Sequence, residues 1–262
     1  MQEPGIPVAG TIAGSDCSGG AGIQADLKTF SSLGIWGCTV VTAVTAQTAA
    51  GVTGIWNESK ESVAAQIDAV TAEFPVAAWK TGMLATREIV ETVAGRMDHR
   101  VPLVIDPVMV ASGGQALLDE DAVEVFLREL LPKATLVTPN LEEAGLLAGM
   151  DPLTSDEAIL AAGDRIRELG PAYVLIKGGH RASGGVTDVL IGKDIVRSYP
   201  GTRYPYDPHG TGCTLSAAIT AYLAKGEIPL GEAVALGKQY VENAVRGAVR
   251  TGTGWQVHPR PL

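Results

Sequence analysis

The feature that most constrains this chain is an alternation. Short apolar runs, each closing on a polar or glycine-bearing loop, are separated by longer stretches with helical periodicity. Val8–Asp16, Cys38–Gln47, Val76–Leu84, Pro102–Met109, Ala134–Asn140 and Ala172–His180 read as strands. Ala21–Leu33, Ser59–Ala72, Thr86–Asp98, Asp119–Leu131, Leu141–Ala148, Ser155–Leu169, Thr214–Ala224 and Leu230–Arg250 read as helices. Such alternation is the pattern of a mostly parallel sheet covered by helices. One stretch departs from it: Val186–Tyr199 carries two β-like runs flanking Gly192-Lys193 and reads as a hairpin, either a sheet extension or a flap beside a ligand. The chain shows no repeats and no linker-like break, so one α/β domain over residues 1–262 is expected.

At 262 residues, 46% of them apolar and 19% charged, the chain is long and apolar enough for a sizeable core. A net charge of −9 argues against nonspecific binding to nucleic acid or anionic membranes. No apolar run approaches the roughly 20 residues of a membrane span. The first residues, MQEPGIPVAG, lack the basic and apolar regions of a signal peptide. Cys17, Cys38 and Cys213 have neither metal-ligand spacing nor the look of a disulfide framework, so a cytoplasmic protein is expected.

In open α/β sheets, ligands bind at the carboxyl ends of strands. Asp16, Gln47, Met83, Asp106, Asn140 and Lys177 would then converge on one edge. The sharpest signal is HGTGC at His209–Cys213, which opens into an apolar helix. Its glycines permit a tight turn, and the helix start leaves amide N–H groups for an anion, most simply a phosphate. A helix N-terminus also lowers a thiol's pKa, so Cys213 is expected to be partly thiolate and able to take a proton. The same five residues would also serve as a plain helix entry.

Three further segments carry candidate chemistry. GSDCSGGAGIQAD at Gly14–Asp26 is a second glycine-rich loop, and it matches neither a Walker A loop nor a Rossmann fingerprint. There Asp26 reads either as an acceptor for a substrate group or as a solvated helix residue. In NLEE, Asn140 and Glu143 form something close to a capping box. The functional alternative is that they hold water around Mg²⁺, with Asp106 as an acidic neighbour, as phosphoryl transfer requires. In KGGH, Lys177 ends a strand and reads either as a cation that neutralises phosphate oxygens or as a surface lysine before a loop, while His180 and His209 read as loop histidines.

Taken in order, AGSDCSGGAGIQADLKTFSSLG, TAVTAQ, KTGML, DPVM, TPNLEEA, LIKGGH and HGTGCTLSAAI resemble the bacterial hydroxymethylpyrimidine/phosphomethylpyrimidine kinases, over about Val8 to Val249. The resemblance implies a ribokinase-like three-layer αβα fold with a central, mostly parallel sheet. It implies ATP and Mg²⁺, with phosphorylation of 4-amino-5-hydroxymethyl-2-methylpyrimidine and then of its monophosphate, on the route to thiamine diphosphate. It implies that Gly14, Asp26, Gln47, Met83 and Val108 line the pyrimidine pocket. Asn140 and Glu143 would lie near metal and phosphates, with Lys177 and Thr211 facing the nucleotide. Gly210, Thr211 and Gly212 would form the anion hole. Cys213 stands where sugar kinases of the superfamily place an aspartate base, where it would either deprotonate the hydroxymethyl group or mainly help position it, and the family is often homodimeric. Cys17, Thr81 and Asp207-Pro208 depart from the family pattern. Two rival readings are a pyridoxal kinase, whose substrate also carries a hydroxymethyl group on a nitrogen heterocycle, and a noncatalytic pyrimidine sensor.

Overall fold

A computed structural model describes residues 5–110, 115, 117–150, 152–178, 186–226, 228–252 and 254–258. Nine strands form one sheet: β1 (Val8–Asp16), β2 (Trp36–Thr48), β3 (Gly51–Asn57), β4 (Val76–Thr81), β5 (Leu103–Ile105), β6 (Leu136–Val137), β7 (Tyr173–Ile176), β8 (Val186–Gly192) and β9 (Ile195–Gly201). Their spatial order is β3-β2-β1-β4-β5-β6-β7-β8-β9. The six strands from β2 to β7 in that order pair parallel, and β3, β8 and β9 add antiparallel edges. The Val186–Tyr199 segment is therefore a sheet extension, and the flap alternative falls away.

Alternation along the central strands divides the interior into two cores. Leu103 and Ile105 of β5, Val137 of β6, and Val174 and Ile176 of β7 face one side, while Val104, Leu136 and Leu175 face the other. The first core is covered by α2 (Lys60–Glu73), α3 (Arg87–Arg96), α4 (Glu120–Val125), α5 (Leu141–Ala148) and α6 (Asp156–Glu168). The second is covered by α1 (Gly22–Ser32), α7 (Thr211–Ala224) and α8 (Leu230–Arg246). In α6, Ile159, Ala162 and Ile166 fall on one buried stripe, and Ser155 caps the helix by accepting from the Ala158 N–H. Burying Ile166 completely contributes about 1.5–3 kcal/mol relative to exposure. The central helix is α7: ten of its residues are buried, between α1, α8 and the sheet. That is why its sequence is apolar all round.

Three details differ from the sequence expectation. The last helix stops at Arg246, before Gly247, and Val249–Thr251 (β10) instead pairs with Gly254–Gln256 (β11) in a small ribbon. Residues after Val125 continue as a π-helical turn, Phe126–Leu130, and a 3₁₀ turn, Leu131–Lys133, because Pro132 has no N–H to extend an α-helix. The β3 edge strand lacked a sequence signal of its own. His180 lies outside the described residues.

The sheet order reverses at β1, which has β2 on one side and β4 on the other. A crevice at the carboxyl ends of strands beside such a switch point is where open α/β sheets take ligands.

Candidate active site

At this edge lies a small open cleft. Gly14 and Asp16 reach it from the end of β1, Gln47 from β2, Lys80 and Met83 from β4 and beyond, Val108 from after β5, and Cys213 from α7. Of the expected pyrimidine-pocket residues, Gly14, Gln47, Met83 and Val108 line it. Asp26 does not: it is fully buried, bonded through Oδ2 to the Thr11 hydroxyl at 2.6 Å and to Lys80 Nζ at 2.9 Å. It is neither on the pocket wall nor on a solvated helix face.

The two glycine-rich loops meet backbone to backbone. Gly210 caps α7 with φ +89°, and a Cβ there would lie 1.8 Å from the Gly20 carbonyl oxygen. Only glycine meets both demands. No side chain caps α7, and its first intrahelical bond runs from the Thr214 N–H to the Gly210 carbonyl. The N–H groups of Thr211, Gly212 and Cys213 precede that bond, so this helix start presents donors and a positive dipole end. The Thr211 hydroxyl is spent on the Pro208 carbonyl, leaving its backbone amide as its contribution.

Lys177 stands beside this helix start. A Cβ on Gly212 would lie 3.2 Å from Lys177 Nζ, so a side chain there would crowd the ammonium. Lys177 pairs with Asp106 Oδ1 at 2.9 Å, and the Ser216 hydroxyl donates to Asp106 Oδ2. Burial opposes the Asp106 charge, but the Lys177 and Lys80 ammoniums outweigh it and hold the carboxyl below its ordinary range.

Asn140 and Glu143 form a full capping box: the Asn140 side chain accepts from the Glu143 N–H, and Glu143 accepts from the Asn140 N–H. Asn140 is bridged to Lys177, which brings the box to the same edge. Burial pushes the Glu143 carboxyl up to about 7, with Lys177 pulling the other way. Asp106, expected beside a metal, pairs with Lys177 through Oδ1 and accepts from Ser216 through Oδ2. Among the described residues no three His, Cys, Asp or Glu side chains come together to hold an ion directly. Asn140 and Glu143 keep acceptor lone pairs, so the donor set suits an ion that retains its waters and takes phosphate oxygens, as Mg²⁺ does.

Cys213 corrects a second expectation. Burial pushes its thiol up to about 11, further raised by Asp26 and Asp106. The Lys80 charge and the Gly22 N–H pull it down without offsetting that burial. The helix start is present, but desolvation outweighs it, and the thiol is protonated at neutral pH.

Other participants had weak sequence signals. Asp16 accepts from the Ser18 N–H, the Ser18 hydroxyl and the Ala21 N–H, and bonds to His209. His209 Nε2 also lies 3.2 Å from Gln47 Nε2, so this histidine borders the candidate pyrimidine reader. Cys17 brackets the Gln47 backbone, its thiol donating to the Gln47 carbonyl and accepting from its N–H. Lys80 was hidden inside an apolar strand, where a lone charge between Trp79 and Thr81 was the available clue.

The phosphomethylpyrimidine kinase family model matches residues 16–258. The chain belongs to that family. Among its relatives, the hydroxymethylpyrimidine/phosphomethylpyrimidine kinase of Rhizobium meliloti is 48% identical over 250 residues, 94% of this chain and 93% of that protein. The crystal structure of the phosphomethylpyrimidine kinase of Clostridium difficile is 41% identical with a TM-score of 0.81, over 91% of this chain and 99% of that one. An ADP complex of Bacillus subtilis pyridoxal kinase is 35% identical with a TM-score of 0.90, over 98% and 99%. The fold is thus the ribokinase-like one, and the chain is a phosphotransferase of this family.

Proposed function

We propose that this chain uses ATP to phosphorylate 4-amino-5-hydroxymethyl-2-methylpyrimidine and then its monophosphate, in thiamine diphosphate biosynthesis, as one kinase domain. The observation that supports this best is one edge that joins a small cleft to an uncapped helix start. The cleft carries Gln47 and Met83, and Cys213 stands where the two meet. Gln47 has both donor and acceptor, which suits an aminopyrimidine edge. Gly14, Met83 and Val108 supply the surface against the ring. Asp26 acts from behind Lys80 and not by touching the pyrimidine.

On this reading the amides of Gly210, Thr211 and Gly212 and the Lys177 ammonium receive the charge on the transferring phosphoryl group. Asn140 and Glu143 hold the hydration shell of Mg²⁺, which would supply charge neutralisation at the phosphates. Cys213, once its thiol has given up its proton to solvent, accepts the hydroxymethyl proton in the first transfer. The second transfer starts from an ionised phosphate and hardly needs a base.

A pyridoxal kinase activity is the second reading, favoured by the 0.90 TM-score of the Bacillus subtilis enzyme. The sensor reading loses ground because the anion-binding donors and Lys177 are in place. Incubation with Mg-ATP and each candidate, with products read by mass, separates all three. The small-molecule substrates, a cytoplasmic location and a homodimer complete the proposal. No described helix is long and apolar enough to cross a membrane. Light scattering after size exclusion tests the dimer.

A further inference from the structure

Both side chains of the Lys80–Asp26 pair are fully buried, at 2.9 Å. Taking two charges out of water is costly, and a well-packed apolar pair would stabilise the fold as well or better. The arrangement is also lopsided. Thr11 and Lys80 both bond to Asp26 Oδ2, while Oδ1 is buried and has no partner. Asp26 thus takes one of the three ammonium N–H groups, and among the described residues no other hydrogen-bond acceptor for Lys80 is found. The ammonium lies against Gly82, where a Cβ would be 3.3 Å from Nζ, and Lys80, Gly82 and Cys213 line the same cleft.

We propose that Lys80, anchored by Asp26, is a positioning cation for the first phosphoryl transfer, supplying the charge that favours the Cys213 thiolate, the form that takes the substrate's hydroxyl proton. The inference rests on the kinase reading above and adds a residue to it. In the step, Cys213 first gives its own proton to solvent, and the resulting thiolate takes the hydroxyl proton. The freed oxygen forms a bond to the γ-phosphorus as the bond to the β–γ bridging oxygen of ATP breaks. The new thiol later returns its proton to solvent. Four charged groups bear on Cys213: Lys80 from β4, Asp26 from α1, Asp106 from beyond β5 and Lys177 from beyond β7. Lys80 is the strongest of those favouring the thiolate, and its own carboxylate neighbours keep it charged above the ordinary lysine range despite burial.

The test is alkylation of the substrate-free protein by iodoacetamide across pH, read by mass at the Cys213 peptide, which separates it from Cys17 and Cys38. K80M should slow alkylation at pH 8.5 about tenfold, the equivalent of one pKa unit. D26N/K80M, which removes both charges and avoids a stranded carboxylate, should slow it at least threefold. In kinetics, K80M should reduce kcat of the first transfer tenfold or more and leave the second within threefold. Alkylation within twofold of wild type in folded variants, or equal loss in both transfers, would overturn the proposal. The alkylation arm needs no substrate, so it decides the Lys80–Cys213 coupling even if the substrate reading fails.

Discussion

His209 Nε2 stands 3.1 Å from Asp16 Oδ2, joining the loop that enters α7 to the loop that leaves β1. Burial works against the Asp16 charge, but the hydrogen bonds from His209, Ser18 and Ala21 outweigh it and hold the carboxyl at about 2, against an ordinary 3.8. A depressed carboxyl stabilises the fold above its unfolded pKa and loses that contribution as pH falls through the folded one. Asp16→Asn should therefore cost about 1–2 kcal/mol at pH 7, and the gap should close as pH falls from 4 through 2. Urea melts of both proteins across that range check it.

Gly210 carries both the left-handed backbone and the contact with Gly20. Gly210→Ala should cost about 1–2 kcal/mol in backbone strain alone, and the displaced loop should lower kcat/KM by about 100-fold, the scale of a lost oxyanion donor. Gly226 also has positive φ (+72°), but open space surrounds it, away from the cleft. Gly226→Ala should therefore show the backbone cost without the kinetic one. Thermal melts and initial rates on the two variants separate the effects.

Cys213→Ala should lower the first transfer by about 10²–10⁴-fold, the range of a lost general base, and the second by far less. Single-turnover assays begun from the alcohol and from its monophosphate make the comparison. Equal loss in both would assign Cys213 a purely structural part.

The C-terminal ribbon clamps the anion-binding loop. The His209 N–H donates to the Trp255 carbonyl, the Val257 N–H donates to the His209 carbonyl, and the Trp255 ring stacks on Tyr206 at 4.6 Å. Ending the chain after Gly247 removes all three contacts. The truncated protein should stay folded by circular dichroism, yet lose about 2 kcal/mol from two net hydrogen bonds and a stacked ring pair. Its kcat should fall at least tenfold.

What the sequence revealed followed the range of the forces involved. The α5 start was readable because Asn140 and Glu143 are three residues apart and cap each other locally. The convergence of Gln47, Met83, Asp106, Asn140 and Lys177 was readable because strand ends of a parallel sheet share an edge. Asp26 was misplaced because its partner, Lys80, is 54 residues away, and a charge inside an apolar strand does not name its counter-ion. The Cys213 thiol was misjudged for a related reason: a helix start is visible in sequence, but the desolvation that outweighs it depends on the packing of α1, α7 and β4. The ribbon's contact with His209 joins segments distant in the chain, and no pattern in GTGWQVHPRPL announced it.

The central claim is substrate and stoichiometry. Purified protein incubated with Mg-ATP and 4-amino-5-hydroxymethyl-2-methylpyrimidine should yield, by mass, a product with one phosphoryl group and then one with two. Pyridoxal under the same conditions should react more slowly or not at all. Phosphorylation of pyridoxal alone would contradict the account and withdraw the roles given to Gln47 and Met83.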